Sequence, residues 1–263
     1  MNKSQILVYL SILHNGDWEK IYESIVSGKY ELKNKEALQK LYSMKSKAIT
    51  ILDPEYPKYF YQIPRPPFVL FYYGDISLIR DHEKNISIVG SRNNTVHGAK
   101  ITEEISSNLA PNYRIVSGLA KGIDAIAHEA CLNAGGHTIA VLGNGIDFCY
   151  PPENFELYER IKSDPESLII SEYYGMTISD PAYFPERNRL IAGLSDFTII
   201  TEAFQRSGTS ITAGYCLCMG RDVLAVPTNG FNSSLCNQLI RQGCAPVDSL
   251  DDIYDEIGFV KIY

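Results

Sequence analysis

What this chain lacks excludes several functions at once. No apolar stretch approaches the roughly 20 residues that a membrane span needs. Its first residues also lack the basic, apolar and small-residue order of a secretory leader, so a cytoplasmic protein without membrane insertion is expected. No Cys-x-x-Cys pair occurs among Cys131, Cys149, Cys216, Cys218, Cys236 and Cys244. They read as small buried hydrophobes in a reducing compartment, and no metal is expected. An excess of basic charge is missing too, with 24 Lys and Arg against 31 Asp and Glu and a net charge of −7. A polyanion would therefore have to be met by a few well-placed cations.

Nucleotide and nucleophile motifs are absent as well. No Gly-x-Gly-x-x-Gly follows a first strand and no Walker A sequence is present, which argues against NAD and ATP and leaves no cofactor expected. No Ser, Cys or Asp stands in a nucleophile motif with a matching base, so no catalytic residue is assigned.

What is present has a clear order. Ile6, Leu7, Leu10 and Leu13 follow helical spacing, Asn15-Gly16-Asp17 interrupts it, and Trp18, Ile21, Tyr22 and Ile25 resume it. A Lys-rich third segment carries Leu38 and Leu41. Residues 1–51 thus read as a small helical domain. Pro54, Pro57, Pro64, Pro66 and Pro67 then mark a connector, and the boundary is set near residue 52. Beyond it, apolar runs at 68–73, 86–89, 114–116, 138–142, 168–170, 197–201 and 222–226 predict strands. Amphipathic segments around 97–110, 122–134, 153–161, 187–195, 208–219 and 234–242 predict the helices between them. Strands apolar on both faces and separated by helices imply a mostly parallel sheet covered on both sides. The fold class is therefore α/β, an extended Rossmann-like, doubly wound domain over 52–263, with ligands expected beyond the carboxyl ends of the strands.

Four loops fall where that rule points: Gly90-Ser91-Arg92, Gly118 to Gly122, Gly143-Asn144-Gly145, and Ser207-Gly208-Thr209. Glycine lets backbone amides approach a ligand, and a helix N-terminus adds partial positive charge, so together they favour phosphate. The cations Arg92, Lys121, Arg187, Arg189, Arg206 and Arg241 are scattered over several loops, which suits a chain of phosphates better than one nucleotide. Arg187-Asn188-Arg189 opens an apolar, Gly-ended stretch just after Phe184, an aromatic ring that can stack on a base. Two arginines two residues apart on a helix diverge by about 200°, so only one of them should face a ligand. Asp124 and His128 lie i, i+4 on one helix face, and the simpler reading is a helix-start carboxylate with a partly buried imidazole partner.

In this order, Val89-Gly90-Ser91-Arg92, Ser117 to Asp124 with Ala127-His128, Thr138 to Leu142 with Gly145 and Tyr150-Pro151, Ser171-Glu172, Phe184-Pro185 with Arg187-Asn188-Arg189 and Ile191 to Leu194, Glu202-Ala203 with Ser207-Gly208 and Thr212-Ala213, and Asn237 to Arg241 resemble the DNA-processing protein A family, also called DprA or Smf. The resemblance covers roughly residues 52–250. It implies a single-stranded DNA-binding protein that protects incoming DNA and passes it to the RecA recombinase during natural transformation and homologous recombination. The resemblance places Gly90, Ser91 and Arg92 and the segment Arg187, Asn188 and Arg189 in the DNA groove; with the loops and cations read above, the DNA-binding residues are expected to be these and Gly118, Lys121, Gly122, Phe184, Ser207, Gly208, Thr209, Asn237 and Arg241. The resemblance also implies a homodimer, with an apolar stripe of Leu250, Ile253, Tyr254 and Ile257 offered as its interface; packing of that stripe on its own sheet is the alternative. No room is expected for the winged-helix domain of longer members.

The sequence departs from the family pattern at Thr228, where a glycine is usual, in a shortened segment from Asn232 to Cys236, and at Pro152, where some relatives carry a basic residue. The rival reading is an enzyme, a nucleotide phosphoribohydrolase-like protein on a Rossmann-like fold. A third is a ligand-sensing module, which predicts tight binding of a small nucleotide.

Overall fold

The computed structural model describes residues 1–228 and 234–258. In chain order the elements are α1 Lys3–Leu13, α2 Trp18–Ser27, α3 Lys35–Tyr42, β1 Lys47–Thr50, β2 Val69–Gly74, β3 Asn85–Val89, α4 Val96–Leu109, β4 Arg114–Ser117, α5 Ile123–Asn133, β5 Thr138–Gly145, α6 Phe155–Ser163, β6 Leu168–Tyr173, α7 Tyr183–Gly193, β7 Phe197–Ile200, α8 Gly208–Cys218, β8 Asp222–Ala225, α9 Leu235–Arg241, β9 Ala245–Pro246 and α10 Leu250–Glu256. Among the described residues, no helix is long and apolar enough to cross a membrane.

The nine strands form one sheet in the order β1-β2-β6-β5-β4-β3-β7-β8-β9. β2 runs antiparallel to both β1 and β6, and the other pairings are parallel. β3 is buried along its whole length. From it the chain steps outward through β4, β5 and β6, then returns to pair β7 with the other side of β3, Val89 opposite Ile200. The strand order therefore reverses between β3 and β7, which is where open α/β sheets hold ligands.

The alternation of side chains along the strands divides the core. Val89, Val116, Val141 and Ile200 meet Leu190, Ile191 and Ala213 of α7 and α8 on one face. Ile86, Ile88, Ile115 and Ile199 meet Ile105, Ile123 and Ile253 of α4, α5 and α10 on the other. Farther along that second face, Leu7, Val8 and Leu10 of α1 pack with Val69, Phe71, Leu142 and Ile169.

Several features differ from the sequence reading, among them Gly143-Asn144-Gly145, which ends the buried strand β5 and is not a loop beyond it. β1 lies in a segment read as helical; only two of its four residues are buried, too few to show an alternation. Because Thr50 pairs with Val69 and α1 packs on the sheet, the core is continuous across residue 52. β9 has two residues and no periodicity to read. Finally, α7 starts four residues before 187, with Pro185 inside its first turn, where proline's missing N–H costs nothing.

The stripe offered as a dimer interface packs on the protomer's own sheet, with Leu250, Tyr254 and Ile257 half-buried. Ile253 is fully buried, and Leu250, Tyr254 and Ile257 pack against the same cluster around Ile86 and Ile115. A capping box between Ser249 and Asp252 fixes α10 in that orientation.

Candidate nucleic-acid interface

At the switch point, the loops after β3, β4 and β7 and the first turn of α7 enclose an open cleft of about 570 Å³. The loop after β3 is tied to the end of β7, since the Ser91 amide donates to the Glu202 carbonyl at 2.7 Å. The Glu202 carboxylate accepts from the Thr95 amide at 2.9 Å and from its hydroxyl at 2.5 Å, fixing the start of α4. Gly122 has φ +77°, and a Cβ there would stand 2.3 Å from the Ser91 carbonyl oxygen. Only glycine lets α5 begin so close beneath the Ser91-Arg92 turn. The loop after β4 is held from above by Asn154, whose Nδ2 donates to the carbonyls of Leu119 and Ala120 at 2.9 and 3.2 Å.

Arg92 is exposed on the rim, its guanidinium 5.4 Å from the centroid of the Phe184 ring. Phe184 in turn lies 5.6 Å from the half-exposed ring of Tyr150. A cation and two aromatic faces thus border one opening, the combination that tracks a phosphate chain and stacks its bases. Lys121 lies beside Arg92 and Phe184 in an adjoining recess of about 60 Å³ and is half exposed, paired with Glu153. On the opposite wall α8 begins at Gly208 without a side-chain cap. The Ser207 hydroxyl beside it is shielded from solvent and has no hydrogen-bond partner among the described residues. Thr209 donates to the Gly90 carbonyl at 3.1 Å, and Ser91 accepts from the Asn93 amide at 3.1 Å, so both hydroxyls are partly committed.

The Arg-Asn-Arg segment is buried rather than displayed. Arg187 forms the floor of the cleft; its guanidinium donates to the carbonyls of Gly118, at 2.7 Å, and Val141, and to Asn188 Oδ1 at 3.1 Å. A Cβ on Gly118 would come within 2.7 Å of that guanidinium, which explains the glycine. Burial pulls the Arg187 pKa down to about 10, with Asp124 opposing the shift. Asn188 donates to the Gly208 carbonyl at 3.2 Å and couples α7 to the start of α8.

Arg189 points the other way. It meets both carboxylate oxygens of Glu172 at 2.6 and 2.7 Å and donates to the carbonyls of Pro64, Arg65 and Glu186. Burial works against its charge, and Glu172 and Glu186 outweigh it. Arg189 braces the Pro-rich connector and does not line the cleft. Glu172, its partner, belongs to the Ser171-Glu172 motif of the resemblance but was given no role from the sequence.

Two more expected residues lie apart from the cleft lining. Asn237 clamps Thr228 through bonds of 3.0 and 2.7 Å to its backbone, and Arg241 is exposed at the end of α9. Asn232 and Ser233 of the shortened segment, with residues 229–231 before them, fall outside the described residues.

Asp124 and His128 do not pair. Asp124 accepts from the Gly118 amide at 3.2 Å, whereas His128 Nδ1 lies 2.5 Å from Thr138 Oγ1. Burial raises the Asp124 carboxyl against the opposing charge of Arg187, and it drives His128 down to about 3.

The model of the family described as DNA recombination-mediator protein A matches residues 47–258. Protein Smf of Synechocystis is 38% identical over 256 residues, covering 94% of this chain, and the chain spans 63% of that relative's length. DNA processing protein DprA of Streptococcus pneumoniae is 41% identical over 214 residues, covering 81% of this chain and 74% of the relative. The X-ray structure of DNA processing protein A from Streptococcus pneumoniae superposes with a TM-score of 0.76 at 33% identity, covering 99% of this chain and 96% of that one. DNA processing protein A of Helicobacter pylori, whose structure is described for its single-stranded DNA binding mode, superposes with a TM-score of 0.73 at 28% identity, covering 82% and 96%. With four-fifths of its length inside the family model and the fold shared with a solved relative, the chain belongs to the DNA recombination-mediator protein A family.

Proposed function

We propose that this chain binds single-stranded DNA across the switch-point cleft, protects it and loads the RecA recombinase on it, acting as a cytoplasmic homodimer without catalysis of its own. The observation that carries the reading is the exposed Arg92 guanidinium over Phe184, which lies beside Tyr150, across the cleft from the uncapped start of α8. Arg92 and Lys121 meet phosphates, the α8 amides add donors, and Phe184 stacks a base. Arg187 and Asn188 hold the floor in shape, and Arg189 acts from behind by fixing the connector. The single-stranded DNA binding mode described for the Helicobacter pylori relative supports the choice of ligand.

The enzymatic rival needs a carboxylate free to assist cleavage of a glycosidic bond. Among the described residues lining the cleft the one carboxylate is Asp124, already held by Gly118 and Arg187. A fluorescence-polarisation titration with labelled single-stranded and duplex oligonucleotides of equal length tests the proposal. Tighter binding of the single strand is expected, because only unpaired bases reach the aromatic faces; equal affinity for the two forms contradicts it.

A further inference from the structure

Resting on that reading of the cleft, the geometry points to a role for Asp124 that the resemblance does not assign: we infer that its carboxylate is a resident anion that makes the cleft select a phosphodiester chain over a free nucleotide. In a Rossmann-like switch point, the amides of the loops after the central strands and the ends of the following helices are the usual phosphate cradle. Here that cradle is filled from within. Leu119, a buried residue, adopts φ +55°. A left-handed residue between ordinary neighbours turns successive amides toward one point, the arrangement that concentrates positive potential in an anion nest. Asp124, from the first turn of α5, sits at that point, taking the Gly118 amide at 3.2 Å; burial works against its charge, and the Arg187 guanidinium and the amides of Gly90, Gly118 and Ala120 act to hold it. The Ser91 amide, the next donor along the β3 loop, is engaged by Glu202.

The floor cation is offset by the same group. Arg187, beneath the cleft, has its charge balanced by Asp124 and its N–H groups directed to the carbonyls of Gly118 and Val141. A phosphate entering deeply therefore meets a carboxylate where it needs donors. Donors remain on the outer parts of the cleft, at Arg92, Lys121 and the start of α8. No one of these places encloses a terminal phosphate, but a strand that passes all of them collects several weak contacts at once.

The test uses the full chain, thymidine 5′-monophosphate as competitor and a labelled oligothymidylate as probe. With the unaltered protein, the monophosphate at millimolar concentration leaves the probe bound; displacement at micromolar concentration overturns the inference whether or not any variant folds. In Asp124→Asn the floor gains an unbalanced Arg187 and loses its anion, so affinity for the monophosphate rises about tenfold or more. The double variant Asp124→Asn, Arg187→Gln restores a neutral floor and returns monophosphate affinity to the starting level. No gain in folded Asp124→Asn, or a gain retained in the double variant, contradicts the role given to Asp124. If the unaltered protein does not bind the oligothymidylate at all, the proposed function fails instead, and that result is visible before any competitor is added.

Discussion

Arg92, Arg187 and Arg189 carry the same charge, and burial decides what each does with it. Replacing exposed Arg92 by alanine should weaken oligonucleotide binding and leave the melting temperature nearly unchanged, because the side chain lies on the surface. Arg189→Ala should do the opposite: it strands Glu172 in the interior, and breaking a buried ion pair in this way costs about 3–5 kcal/mol. A chemical-denaturation curve for each variant, set beside its binding curve, separates the two roles. An Arg189→Ala protein of unaltered stability contradicts the bracing role. His128 supplies a pH signature. Its folded-state pKa lies near 3, below the ordinary 6.5, so the unfolded chain takes up a proton that the native site refuses. The stability this contributes is complete above pH 6.5 and falls as pH drops toward 3, amounting to about 2 kcal/mol lost by pH 5. His128→Gln should flatten that part of the stability profile measured by urea titration at pH 7 and pH 5, and an unchanged profile sinks the assignment.

The elements show why the sequence was readable in some places and silent in others. Seven strand segments and the helices between them were legible because strands such as β3 are apolar on both faces and are bounded by helix patterns. The four-residue β1, with two exposed or half-exposed positions, and the two-residue β9 gave no period to detect. In the cleft, the loop glycines and Arg92 announced themselves by their place after strands. What could not be read was which donors remain free. Gly118, Gly122 and the loop amides looked ready for phosphate, yet the space and the bonds there go to Arg187, Ser91 and Asp124. That partition depends on contacts between residues some 70 positions apart, as from Arg187 to Gly118, which local patterns do not encode. The tight start of α5 yields its own prediction. Gly122→Ala adds a Cβ into the Ser91 carbonyl at a backbone angle that L-residues avoid, and should cost about 1–3 kcal/mol. Because the strain falls under the Ser91-Arg92 turn, oligonucleotide affinity should drop as well. A variant as stable and as tight-binding as the parent would show that the turn does not depend on this contact.

For the molecule as a whole, one sheet ties the parts together. Leu7, Leu10 and Ile12 of α1 cover Val69, Phe71 and Ile169, and β1 completes the sheet edge. A variant lacking residues 1–50 should therefore expose this apolar face, melt at a lower temperature and bind a hydrophobic dye; full retention of the parent's melting temperature contradicts a shared core. The sheet's other contribution is to bring loops from distant parts of the chain to one edge, so that a protein of net charge −7 presents a few cations along a single path. Binding through such a path is electrostatic and must weaken with salt, each phosphate contact on a single strand adding about −0.7 to the slope of log K against log salt. The most direct measurement is that slope for a single-stranded oligonucleotide with the unaltered protein, Arg92→Ala and Arg189→Ala. A cleft that tracks phosphates through Arg92 predicts a negative slope that becomes shallower by about 0.7 in Arg92→Ala and is unchanged in folded Arg189→Ala. A salt-independent affinity, or the same slope with and without Arg92, would contradict it.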